Sequence, residues 1–296
     1  MQNIGTLMKK YGIKPKHNLG QNFLVNDAIL EKILSAADLK KTDNVLEVGA
    51  GLGALTRELI QRAKRVLAVE IDRSLVYVLK QEMRLVDKSM TEVKLVEADI
   101  LKLPMQDIET FFKGEPYKIV ANIPYQITSH FLRRFLDNEN PATEMVLLVQ
   151  KEVGQRIVAK PGDMNLLALS CQYYAEPRII TDVAAENFLP VPEVDSVIIK
   201  LADIKRLSNA ERLSAKNLFR IARIGFSAKR KQLQNNLSAG LKITKDKTKK
   251  MLLAIGLKEN ARAEDLSVED WERLSDRMSK NKYQITNQCQ SSNFKC

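Results

Sequence analysis

The stretch Val45-Leu46-Glu47-Val48-Gly49-Ala50-Gly51-Leu52-Gly53 decides how this chain is read. Its first half is a strand bound for a core, and beyond the glycines Leu55, Leu59 and Ile60 fall at helical spacing. Strand, glycine-rich turn and helix make the ligand-binding unit of an open α/β sheet, because a turn without side chains brings backbone close to a ligand at the helix N-terminus. Dinucleotide and methyl-donor enzymes share such turns. Two details favour the methyl donor: the loop is GxGxG rather than GxGxxG, and Glu47 stands two residues before its first glycine. A pyrophosphate gains nothing from a nearby carboxylate, whereas a sulfonium cofactor carries positive charge and no phosphate.

Outward from the turn, the run Val66-Leu67-Ala68-Val69 predicts a second strand ending in Glu70, 17 positions after Gly53 (70 − 53). An acid at that place accepts the hydroxyls of a ribose. A third strand over residues 93–96 ends near Asp99, whose carboxylate can accept an adenine amino group. Further strands are expected over 119–121, 145–149 and 197–201. Singly, each acid is more often a solvated strand end. Glu47, Glu70 and Asp99 at three successive strand C-termini make a better case for a site. The fold class expected is α/β, a Rossmann-like sheet with helices on both faces.

The strand from Tyr117 to Val120 runs into Ala121-Asn122-Ile123-Pro124-Tyr125. An amide supplies an acceptor and donors, proline sets the exit direction of the backbone, and tyrosine presents a face for stacking. This corner can grip an exocyclic amino group on an aromatic base; by itself it is equally an asparagine turn that ends a strand. Upstream, in Leu19-Gly20-Gln21-Asn22-Phe23-Leu24, Gln21 and Asn22 can close over a ligand while Phe23 and Leu24 anchor the segment, although a plain amphipathic turn is the stronger local reading. A helix with Ile29, Ile33 and Leu34 on one face follows, capped by Asp27.

The chain has 296 residues and 33.5 kDa, enough for one large domain and a small one. A net charge of +11 and a pI near 9.4 favour a polyanionic partner such as nucleic acid. No apolar run reaches the roughly 18 residues of a membrane helix. Three cysteines without a CxxC pair and two histidines (His17, His130) leave little for zinc and no disulfide framework, so a reducing cytoplasm is expected. The segment before Asp27 contains no acid and no arginine and matches neither a secretory signal nor a transit peptide.

Past residue 204 the composition changes. Between Arg212 and Lys245 there is no acid but nine basic residues. Arg212, Lys216, Arg220 and Arg223 share a helical face, Leu218, Ala222 and Phe226 form an apolar stripe elsewhere, and Lys229-Arg230-Lys231 follows. A basic helix face is usually solvated surface. Without interspersed acids it reads better as a phosphate-binding surface that holds RNA without reading sequence. A closing helix over 265–277 with Trp271 and Leu274 inward completes an expected organisation of 1–204 catalytic domain, 205–278 helical RNA-binding domain and 279–296 disordered tail.

Together, LGQNFL (19–24), EVGAGLGALT (47–56), Glu70, Glu97-Ala98-Asp99, NIPY (122–125) and NFLPVPEVDS (187–196) resemble, in order, the motifs of the rRNA adenine dimethyltransferase family. The resemblance runs from about residue 16 to about residue 274. QKEV (150–153), FSAKRK (226–231) and the 266–274 ending are similar to the KsgA-type branch acting on small-subunit rRNA rather than the resistance methylases of large-subunit rRNA. One departure is that Asp163-Met164-Asn165 follows Gly162, where many relatives have a tyrosine-glycine pair.

The resemblance implies S-adenosylmethionine as cofactor, held by Gln21, Asn22, Leu24, Gly49, Gly51, Glu70, Asp99 and Asn122. It implies N6-dimethylation of two adjacent adenines in a loop near the 3′ end of small-subunit rRNA, with Asn122 holding the amino group and Tyr125 and Phe188 covering the two faces of the base. RNA phosphates fall to Arg220, Arg223, Lys229, Arg230 and Lys231. No metal is required, and a cytoplasmic monomer acting on rRNA or an assembling subunit is expected. The alternatives are a large-subunit resistance methylase and a non-catalytic RNA-binding factor.

Overall fold

The structure, a computed structural model, describes residues 4–84 and 91–280. It divides into two compact units, Met1–Val158 with Cys171–Arg206 and Ala159–Ser170 with Leu207–Cys296. Residues 159–170, which the sequence reading left in the first domain, thus group with the second. The tail expected over 279–296 lies, from residue 281 on, outside the described residues, and Cys289 and Cys296 with it.

The first unit opens with α1 (Ile4–Tyr11), the short β1 (Phe23–Leu24) and α2 (Asp27–Ala37). Strands and helices then alternate: β2 (Asn44–Val48), α3 (Ala54–Arg62), β3 (Arg65–Glu70), α4 (Arg73–Met83), β4 (Glu92–Glu97) and α5 (Met105–Phe112). After them come β5 (Lys118–Asn122), α6 (Thr128–Leu136), β6 (Met145–Gln150) and α7 (Lys151–Ile157). The chain continues through α8 (Leu166–Tyr174), which both units share, to β7 (Glu176–Val183), β8 (Phe188–Leu189) and β9 (Ser196–Ala202).

Seven strands form one sheet in the order β4-β3-β2-β5-β6-β9-β7. The first five are mutually parallel and β9 runs antiparallel to both β6 and β7. One face buries Val45, Val66, Val120 and Val146 against Ile33, Leu34, Leu59 and Ile60 of α2 and α3. The alternate residues Leu46, Leu67, Ile119 and Leu147 are buried on the other face, where α5 and α7 pack. Coverage on both sides is why these strands read as continuous apolar runs. Each fully buried leucine or isoleucine contributes roughly 1.5–3 kcal/mol.

Polar pairs fix the helix ends. Asn26, not Asp27, caps α2: its side chain accepts from Ala28 N at 2.8 Å, and Asp27 sits in the first turn. At the other end Lys118 Nζ donates to the carbonyls of Ala37 (3.0 Å) and Asp38 (3.2 Å), and Lys200 Nζ to that of Ala36 (2.8 Å). Cations there satisfy orphan carbonyls and oppose the negative end of the helix dipole. The strand order reverses between β2 and β5, so a crevice opens at their C-terminal ends, where open α/β sheets bind ligands.

The second unit holds α9 (Asn209–Gly225), α10 (Leu233–Leu241), α11 (Lys245–Ala254) and α12 (Val268–Lys280). A capping box of Ser208 and Glu211 starts α9. Leu218 and Ala222 are buried as expected, Trp271 and Leu274 fully so, and the Phe226 ring lies 5.4 Å from that of Trp271. The closing helix begins at Val268 rather than Asp265, because Ser267 and Asp270 cap it reciprocally, at 3.0 Å (Ser267 N to Asp270 Oδ2) and 3.2 Å (Asp270 N to Ser267 Oγ). The carbonyl of Glu264 accepts from Gly162 N (2.8 Å) and Met164 N (3.1 Å), which ties in the segment that departs from the family pattern. No helix among the described residues is long and apolar enough to cross a membrane.

Candidate active site

The crevice is walled on one side by the glycine turn. Gly49 has φ 74°, and a Cβ there would come within 3.0 Å of the Asn122 carbonyl, so glycine is needed where the turn and the Asn122 corner meet. Glu70, at the end of β3, is 6% exposed and accepts from Gly51 N (2.9 Å), Ile71 N (2.8 Å) and Asp72 N (2.9 Å). Burial pushes its carboxyl up, and the three main-chain donors pull it back. A carboxylate offers about four acceptor positions, so one is left for a ligand hydroxyl. Asp99 accepts from Leu101 N at 2.9 Å, and the loop beyond it is held by Arg134, whose guanidinium donates to the carbonyls of Leu101 and Leu103.

The N-terminal segment crosses as a strap. Lys16 Nζ and Gln21 Nε2 each reach Asp72, at 2.8 Å, and Lys16 N donates to Gln21 Oε1 at 2.8 Å. Asp72 is 4% exposed and also caps α4 through Ser74 N at 2.9 Å. Burial acts to raise its carboxyl, but Lys16, Gln21 and Ser74 outweigh it and hold it below the usual range. Further along, the Asn22 carbonyl accepts from Asn122 Nδ2 at 3.2 Å. That bond orients the amide: its nitrogen is engaged, and among the described residues Oδ1 accepts nothing. Tyr125 lines the crevice, its hydroxyl 2.6 Å from Ser196 Oγ.

Of the expected cofactor residues, Gln21, Asn22, Gly49, Gly51, Glu70, Asp99 and Asn122 line this one crevice, together with Tyr125. Leu24 and Phe188 do not. They are partners in the β1–β8 ladder, 7% and 2% exposed, and both belong to the core on the α2 face. Two large apolar side chains gain more from that burial than from standing at a wet rim. Glu47 is likewise off the wall, 1% exposed beneath the turn. Burial pushes its carboxyl up to about 8, Thr56 opposing and Glu70 adding to the push, and Oε2 has no partner among the described residues.

Sequence reasoning missed Ile71, 49% exposed yet lining the crevice directly after Glu70, and Ile100, which lines it directly after Asp99. Each offers an apolar face to whatever fills the crevice. The signal for Ile71 was available, since an apolar residue directly follows the strand-end acid. Among the described lining residues there are two carboxylates and no lysine, arginine or histidine. Such a lining suits a cationic ligand with a ribose and a purine, not a polyphosphate.

The family model for "Ribosomal RNA adenine dimethylase" matches residues 12–280. The chain is similar to the ribosomal RNA small subunit methyltransferase A of Dehalococcoides mccartyi strain CBDB1, 44% identical over 274 residues, 93% of this chain and 92% of that one. Among solved structures it resembles a dimethyladenosine transferase from Plasmodium falciparum, with TM-score 0.70 and 28% identity over 89% of this chain and 98% of that one. The 23S rRNA methyltransferase ErmE gives TM-score 0.66 and 27% identity, over 87% of this chain and 100% of that one.

Proposed function

The chain belongs to the ribosomal RNA adenine dimethylase family and is an rRNA adenine methyltransferase; from that premise we propose that it converts two adjacent adenines near the 3′ end of small-subunit rRNA to N6,N6-dimethyladenine, with S-adenosylmethionine as donor. One observation carries the reading: among the described residues, a crevice lined by Glu70 and Asp99 and by no lysine, arginine or histidine opens onto an asparagine amide whose oxygen is unengaged, with a tyrosine beside it. Relatives named for small-subunit rRNA, 44% and 38% identical over nine-tenths of this chain, favour the small subunit over the large. On this reading the protein works as a cytoplasmic monomer on rRNA or an assembling subunit.

Glu70 would accept a ribose hydroxyl at its remaining acceptor position and Asp99 the adenine amino group of the cofactor, with Ile71 and Ile100 against its purine. Gln21 and Asn22 would close the strap above it. The cofactor supplies an electrophilic methyl group.

The N6 lone pair of the target adenine is delocalised into its ring and is a poor nucleophile. In the first transfer Asn122 Oδ1 would accept one N6 hydrogen and a main-chain carbonyl of the corner the other, and in the second the one hydrogen left would keep one of these acceptors, which draws the nitrogen toward tetrahedral geometry and localises the pair. As the new N–C bond forms and the S–C bond of the sulfonium donor breaks to leave a neutral thioether, the N6 proton, grown acidic, departs to water, so no strong base is needed. Tyr125 stacks on the base, which must be unpaired or turned out of its helix to reach the corner. Positioning supplies most of the acceleration. On the RNA side, the basic face of α9 and the Lys229-Arg230-Lys231 turn hold phosphates.

The test is Asn122→Ala. Methyl transfer should fall by about a hundredfold or more, the scale of removing one preorganised hydrogen-bonding group, while RNA affinity stays at the wild-type value. Turnover within a few-fold of wild type would remove Asn122 from this role.

A further inference from the structure

Ser196 is the first residue of β9 and is fully buried. Its backbone is locked on both sides, paired with Gln150 of β6 and with Val183 of β7. From that fixed position its Oγ meets the Tyr125 hydroxyl at 2.6 Å. Tyr125 itself stands in a single 3-10 turn, Tyr125–Ile127, after Pro124, and is half-buried on the crevice wall. Among the described residues its hydroxyl has no other partner. A phenylalanine would offer the same face for stacking, so stacking alone does not account for a hydroxyl anchored to a buried serine. What the bond adds is direction: it ties the tip of the ring to a strand paired on both sides, 71 residues away in sequence.

We propose that Ser196 is a positioning residue for methyl transfer, holding the Tyr125 ring in the one orientation in which it receives the target adenine. This deepens the proposed function and rests on it. A reacting nitrogen displaced by about 1 Å loses on the order of a hundredfold in rate, so a loosened platform that keeps the base in the pocket should lose roughly tenfold. The loss falls on kcat, because the cofactor is held by other residues.

The experiment is a double-mutant cycle with Ser196→Ala, Tyr125→Phe and the pair, read by single-turnover methyl transfer to small-subunit rRNA. A parallel readout is the fluorescence of 2-aminopurine placed at the target position. Each single variant should transfer roughly tenfold more slowly with unchanged cofactor KM and weaker 2-aminopurine quenching, and the pair should be no slower than the slower single variant. Losses that multiply in the pair, or a Ser196→Ala enzyme at the wild-type rate, overturn the proposal while the proposed function stands. Should Ser196→Ala not fold, Tyr125→Phe removes the same bond from the exposed side, and wild-type rate and quenching in that variant overturn the proposal equally. A wild-type protein that transfers no methyl to rRNA adenine overturns the proposed function, and the inference falls with it.

Discussion

Glu47 lies beneath the glycine turn, 1% exposed, with one carboxyl oxygen unpartnered among the described residues and its pKa pushed up by burial to about 8. In the unfolded chain it titrates near 4.5. Between those values the folded protein keeps the proton and the unfolded chain loses it. This group's contribution is therefore fully present below about 4.5 and is lost as pH rises through about 8. Glu47→Gln should abolish that loss, worth on the order of a few kcal/mol, as read by denaturant unfolding across the window. Glu70, raised in the same direction, leaves a residual slope. An unchanged slope in Glu47→Gln would show that the carboxyl is ionised in the folded state.

At this scale legibility divides by distance along the chain. Glu70, Asp99 and Asn122 were readable because two of them end strands and Asp99 lies two residues beyond the end of β4, and strand ends of such sheets converge on one crevice. The Ser196–Tyr125 bond was not readable, since nothing in either segment specifies a partner 71 positions away. Phe188 was read from its motif, and packing against the α2 face took it off the wall.

Elements carry the next level. The strap is not held by its own helical propensity but by Asp72, which serves at once as α4 cap and as acceptor for Lys16 and Gln21. In the helical unit, buried Asn236 of α10 donates to the carbonyls of Gly225 (2.6 Å) and Ala228 (3.1 Å), shaping the turn that bears Lys229, Arg230 and Lys231. Those three are exposed, whereas Arg220, expected on the same basic surface, is half-buried beside Asn217. The turn, beside the exposed Lys216 and Arg223 of α9, should therefore contribute more to RNA electrostatics than Arg220 does. Replacing Lys229, Arg230 and Lys231 with alanine should lower the slope of log K against log salt by about two, with cofactor affinity unchanged. A slope equal to wild type would return the turn to ordinary solvated surface. Helix positions followed from apolar spacing, but starts did not. Asn26 and Ser267 took the capping positions, because the cap belongs to whichever side chain reaches the free N–H groups.

For the molecule as a whole, the alternation of strands and helices made the sheet readable, and the acid-free basic run announced the second unit. The return of residues 159–170 to that unit was hidden, because it depends on main-chain bonds to Glu264, about a hundred positions on. Family membership makes the chain an rRNA adenine methyltransferase, and the crevice beside Asn122 is where the proposed function puts that chemistry. The measurement that tests it most directly is nucleoside mass spectrometry of rRNA from unmethylated small and large subunits, each incubated with the protein and S-adenosylmethionine. The account predicts N6,N6-dimethyladenosine at two adjacent positions in the small-subunit RNA and none in the large. Dimethyladenosine in large-subunit RNA, or no modified adenine in either, would contradict it.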